Sequence, residues 1–216
     1  MMTTNKLTKT FASGSLAIGV LAGAVLTATS ANAAMLSWAA WTGGTPLIEG
    51  DKIVTYVGGG IGAEALDDVA LTEMSDHYYF TYDSLTQGAP DPNKGPGGSF
   101  TYTIEVNPLI SPNYIVGVDL DSDVSSNYGT VTETFLEIPN VLVSTNGSPD
   151  PASGFYHIAP IKKLTVTNTL VNADPNNEGL FQFQNSFHQS VPEPGTILGL
   201  LAVGGLGLVS RFKKQK

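Results

Sequence analysis

From Ser99 to Val106 the chain alternates without interruption, with Phe100, Tyr102, Ile104 and Val106 falling on one side and Thr101, Thr103 and Glu105 on the other. A period of two is the signature of a strand with one buried face, because successive side chains point to opposite sides of a sheet. The pattern returns along the chain. His77 to Asp83 groups Tyr78, Phe80 and Tyr82, and Tyr114 to Asp121 groups Val116, Val118 and Leu120. Lys163 to Val171 groups Leu164, Val166 and Leu170, and Leu180 to Phe187 groups Phe181, Phe183 and Phe187. Lys52 to Val57, Thr130 to Ile138 (bulged near Phe135) and Asn140 to Thr145 complete the set. Gln87 to Gly98 carries Pro90, Pro92, Pro96 and four glycines, which predicts a long loop. Between Ala34 and Ser190 only Ala63 to Met74 suggests a helix. Six to eight short strands separated by Pro, Gly, Asn and Asp turns predict an all-β fold, an antiparallel β-sandwich of jelly-roll-like type.

Two apolar ends bracket these strands. Lys6 and Lys9, the apolar stretch Phe11 to Leu26 and Ala31-Asn32-Ala33 form a secretory signal peptide over residues 1–33, cleaved before Ala34 by signal peptidase after export by the secretion machinery. At the other end Thr196 to Ser210 is a run of fifteen uncharged residues. As a helix it measures about 22 Å, short for a hydrocarbon core of about 30 Å, so flanking cations must snorkel or the bilayer must thin. Arg211, Lys213, Lys214 and Lys216, with no acid among them, place that terminus on the cytoplasmic side. Pro192 and Pro194 mark where this second helix begins. The expected organisation is a signal helix (1–33), an exported domain (34–184), a polar tether (185–190) and a tail (191–216) with a transmembrane helix.

The tail, with Pro192-Glu193-Pro194, a Gly- and Leu-rich helix from Leu198 to Leu208 and a basic terminus, resembles the PEP-CTERM sorting domain of Gram-negative bacteria that make exopolysaccharide. The resemblance covers only about 25 residues, but in the right order at the extreme terminus. It implies that an exosortase, a membrane-embedded transpeptidase-like enzyme, recognises Pro192, Glu193 and Pro194 and cuts nearby. It also implies an inner-membrane-anchored intermediate that passes to the cell surface, outer envelope or medium, and a link to extracellular polysaccharide or biofilm matrix.

Between Ala34 and Ser190 stand four lysines, no arginine and eighteen acids, a formal charge of −14 with His neutral, against −9 for the whole chain. Such a surface repels nucleic acid and anionic lipid. The chain has no cysteine, which excludes disulfides and thiolate metal sites.

Asp119, Asp121 and Asp123 share one face of a strand and suggest a Ca²⁺ site; Val124 and Thr130 exclude an EF-hand, which needs Gly and Glu there. A solvated acidic face that discourages edge pairing is the favoured reading over such a site. Gly58-Gly59-Gly60-Ile61-Gly62 lacks the βαβ setting of a nucleotide-binding turn and is expected to be a flexible loop. Trp38, Trp41, Tyr78, Phe80 and Tyr82 are expected in the core more than on a sugar platform, with Tyr79 the exposed member. His77, His157 and His188 lie far apart in sequence, without zinc spacing. No catalytic motif or cofactor other than Ca²⁺ is indicated. The expectation is a non-catalytic surface or matrix protein. The alternatives are a carbohydrate- or Ca²⁺-binding module and a secreted hydrolase.

Overall fold

The alternating segments pair into two antiparallel sheets. The computed structural model describes residues 33–84 and 97–190. Its strands are β1 (Ala33–Ser37), β2 (Leu47–Glu49), β3 (Lys52–Gly60), β4 (Asp68–Met74), β5 (His77–Asp83) and β6 (Gly98–Val106). They continue with β7 (Tyr114–Val124), β8 (Gly129–Phe135), β9 (Val141–Thr145), β10 (Tyr156–Ile161), β11 (Lys163–Asn172) and β12 (Leu180–Ser190). One short helix, α1 (Trp38–Thr42), interrupts them. The first sheet runs β1-β4-β5-β12-β7-β10 and the second β2-β3-β6-β11-β8-β9. From β5 onward the chain crosses between them so that β5-β12-β7-β10 faces β6-β11-β8-β9.

The core lies between the sheets. Phe100, Tyr102, Ile104 and Val106 are all buried, as are Tyr78, Phe80 and Tyr82, so alternation placed these strands correctly. The Phe80 and Tyr102 rings stack across the sandwich at 4.4 Å. Helix α1 holds only five residues, yet it drives two tryptophans inward, because positions three apart share a helix face. Trp38 meets Tyr82 of one sheet and Phe100 of the other edge-on, at 5.6 and 5.3 Å. The Ser37 hydroxyl caps the helix by accepting from the Ala40 amide at 3.3 Å.

Several expectations are corrected. Asp68–Met74 is a strand, not a helix: Val69 and Leu71 are buried on the side facing the core, and pairing with β1 and β5 overrides the helical spacing. The glycine run is no flexible loop; Gly58, Gly59 and Gly60 pair with Thr101, Phe100 and Ser99 of β6. Gly59 has φ +100°, and a Cβ there would sit 2.3 Å from the Ser99 carbonyl oxygen, so glycine is what permits the approach. Residues 185–190 are not a tether but the second half of β12, flanked by β5 and β7, with Asn185 and Ser186 buried. The strand beginning near Thr130 ends at Phe135, with unbroken register against β11 and no bulge at that residue.

In β7, Ile115 is buried and Val116 is not, because the register against β12 slips between Gly117 and Ile115 and turns the pleat over. A like slip between Leu180 and Gln182 buries Leu180 in place of Phe181. Strands β1, β2 and β10 lack alternation and were not anticipated. The signal segment up to residue 32, nearly all of the 87–98 loop, the apolar tail helix and its basic end lie outside the described residues. Among the described residues no helix is long and apolar enough to cross a membrane.

Candidate functional site

The motif Pro192-Glu193-Pro194 lies outside the described residues, but the strand that delivers it does not. β12 reaches Ser190, paired with Tyr114, so the chain leaves a firmly held strand two positions before Pro192. Two clusters fasten this end.

The first surrounds Lys52, which is wholly buried. Its ammonium pairs with the Asp51 carboxylate, donates to Gln189 Oε1 at 2.7 Å and lies 4.2 Å over the Tyr78 ring. Asn113 Nδ2 donates to Asp51 Oδ2 and Gln189 Oε1, at 3.1 and 3.2 Å. Burial lowers the Lys52 pKa, and Asp51 and Glu73 counter this only in part. Burial alone would raise Asp51; hydrogen bonds from Lys52 and Ser111, with the Lys52 charge, hold it below the ordinary value. Gln189 is thus tied to β3 and to the segment before β7.

The second cluster gathers all three histidines of the chain, which the sequence showed only as scattered residues. His188 pairs in register with His77 on β5 and with Gly117 on β7, and Gly117 pairs in turn with His157 on β10. One row therefore crosses four adjacent strands. The Phe155 ring lies over Gly117, its nearest carbon 2.1 Å from where a Cβ would stand, and stacks on His188 at 3.7 Å. His77 closes the other side of His188 at 3.9 Å, and His188 Nε2 is 2.7 Å from Asp119 Oδ2. No local spacing announces this row. Its only sequence signal is the missing side chain at Gly117, legible once strand register is known.

Asp119, Asp121 and Asp123 do share the outer face of β7, while Leu120 and Ser122 between them are buried. They do not converge. Asp119 is engaged by His188, and Asp121 accepts from the Ser122 amide at 2.8 Å. Only Asp121 and Asp123 line a common hollow of about 90 Å³, with Gln182 and Gln184. Among the described residues no group of three or more His, Asp or Glu is placed to hold a metal ion. Trp38, Trp41, Tyr78, Phe80 and Tyr82 are core residues, and Tyr79, half-buried, places its hydroxyl 3.1 Å from His77 Nδ1. Of the signal-cleavage residues, Ala31 lies outside the described residues, whereas Ala33 and Ala34 open β1.

A third group was missed because it breaks the alternation it sits in. Glu133, Asn168 and Asn185 occupy inward positions and are fully buried. Glu133 and Asn168 are cross-strand neighbours, and Asn185 Nδ2 donates to Asn168 Oδ1 at 3.0 Å across the sandwich. Burial drives the Glu133 carboxyl far above the usual carboxylate range, Asn185 counters this, and Asp119 adds to it.

The described chain is a two-sheet antiparallel β-sandwich whose last strand leads directly into a sorting signal. The family model of the PEP-CTERM protein-sorting motif matches residues 190–214, beginning at the final residue of β12. The chain is therefore an exported protein sorted by an exosortase-type system through a membrane-anchored intermediate. Neither a curated protein nor a solved structure matches the chain.

Proposed function

We propose that the sandwich is a non-catalytic module of the cell surface or extracellular matrix, associated with extracellular polysaccharide and released from its membrane tail near Pro192-Glu193-Pro194. The observation that carries this reading is the sorting motif abutting the last strand. The strand order from β5 to β12 supports a jelly roll, two four-stranded sheets with crossing connections. Burial of the tryptophans and paired tyrosines in the core favours a scaffold over an aromatic sugar platform. The buried Lys52 and Asp51 act as fastenings of the fold. The signal peptide ends at Ala33, so the mature chain starts in β1.

Intact mass spectrometry of the protein from its native envelope tests this. The expected mass lacks residues 1–33 and the residues beyond Pro194. An intact C-terminus in cells with an active exosortase would overturn the processing scheme. Pull-down with the producer's own polysaccharide tests the matrix association. The calcium reading narrows to Asp121 and Asp123, and a calorimetric scan in millimolar Ca²⁺ tests it.

A further inference from the structure

We propose that the segment Asn107 to Asn113 is a membrane-contacting loop, which seats Leu109 and Ile110 in the lipid interface while the tail is still anchored. The proposal rests on the membrane-anchored intermediate described above and adds which end of the domain touches lipid, and through which side chains.

Geometry supplies the first observation. Ser190 pairs with Tyr114, the first residue of β7, and the segment from Asn107 to Asn113 runs straight into Tyr114. Six residue steps separate Ser190 from Thr196, where the apolar run starts. Even fully extended they span only roughly 20 Å. An anchored tail thus holds this end of the sandwich close to the bilayer surface. Leu109, 91% exposed, is the most exposed large apolar side chain among the described residues, and Ile110 beside it is 62% exposed.

The amides of the loop, and its carbonyls at Asn107, Ser111, Pro112 and Asn113, are already paired, which lowers the cost of entering a poorly hydrated layer. Backbone groups carried into such a layer must already be hydrogen-bonded. The Asn107 amide donates to the Asp51 carbonyl, the Ile110 and Ser111 amides to the Asn107 carbonyl, and the Leu109 amide to Asn107 Oδ1. Lys162 Nζ donates to the carbonyls of Ser111, Pro112 and Asn113, and Pro108 and Pro112 have no amide to satisfy. The tip is a pinned turn with its two apolar side chains pointing away from its own support.

Charge orients the domain the same way. All three lysines of the described residues, Lys52, Lys162 and Lys163, lie at this end among the acids Glu49, Asp51, Glu73, Asp76 and Glu105, with Lys52 paired to Asp51 and Lys163 to Glu105 at 3.5 Å. Asp67, Asp68, Asp83, Asp123, Asp174 and Glu178 lie toward the opposite end. No described lysine offsets the acids of that end, so an anionic leaflet repels it more strongly than the loop end and favours the orientation with the loop down.

The chain has no cysteine, so single-cysteine variants report position without background. The full chain is reconstituted in phosphatidylethanolamine–phosphatidylglycerol vesicles. Leu109→Cys, Ile110→Cys and, at the far end, Val171→Cys are each labelled with an environment-sensitive fluorophore, and flotation is scored separately. We expect all three to float. Labels at 109 and 110 shift to the blue and are quenched at least twofold by nitroxide lipids, whereas the label at 171 stays water-like. Flotation with a water-like signal at 109 and 110 overturns the loop assignment and leaves anchoring intact. A blue shift that disappears as protein is diluted in lipid overturns it in favour of a second copy. Failure to float overturns the anchoring on which it rests, and the loop assignment with it.

Discussion

Glu133 sits where β8 would place an apolar residue, fully enclosed and beside Asn168 and Asn185. Burial raises its pKa far above the ordinary carboxylate value of 4.5, so the folded state keeps a proton that the unfolded chain releases above that pH. The folded state then binds more protons than the unfolded one. This contribution to stability is intact below pH 4.5 and is lost progressively as pH rises toward the folded pKa. Glu133→Gln removes the titration and keeps the shape. Melting scans should show the variant more stable than the parent at pH 8, by about 2–4 °C per kcal/mol relieved, with the difference closing near pH 4.5. Lys52 behaves oppositely, as a buried cation with its partner in place. Lys52→Met leaves Asp51 without its counter-charge, and urea unfolding should show a loss of about 3–5 kcal/mol.

At the scale of elements, the outer strand β10 pairs with β7 and is further fastened by the ring of Phe155, the residue just before it. Phe155 occupies the space above Gly117 and joins the histidine row. Gly117→Ala should displace that ring and destabilise the fold by about 1–3 kcal/mol. Phe155→Ala should also destabilise, and the double variant by less than the two losses together, because both act on one contact. Strands with unbroken alternation, such as β5 and β6, were legible from residues alone. Strands carrying a register slip were legible only to the slip, as Ile115 against Val116 and Leu180 against Phe181 show. The polar half of β12 was misjudged for a related reason. Asn185 and Ser186 look solvated in sequence, and only their position between β5 and β7, facing Asn168 or covered by neighbours, explains their burial.

For the whole molecule, the junction of sandwich and tail is the defining feature. Since β12 lies inside the first sheet, a chain ending at Gln184 loses the Phe187 core contact, the His188 row and the Gln189 tie. It should fail to give a cooperative melting transition. A chain ending at Ser190 should melt as the parent sandwich does. Circular dichroism of the two truncations tests where the domain ends. The sorting motif match begins at the last residue of that strand.

The sequence by itself determined the all-β class and the sorting tail, since period-two patterning, charge runs and the Pro-Glu-Pro motif are local properties. It also determined that no disulfide helps to hold the fold. Only the tertiary structure decided that three distant histidines form one row, that Asp119 turns to His188, and that a glutamate and two asparagines share the core. Those outcomes depend on register between strands far apart in the chain, and a single-residue slip changes which side chains meet.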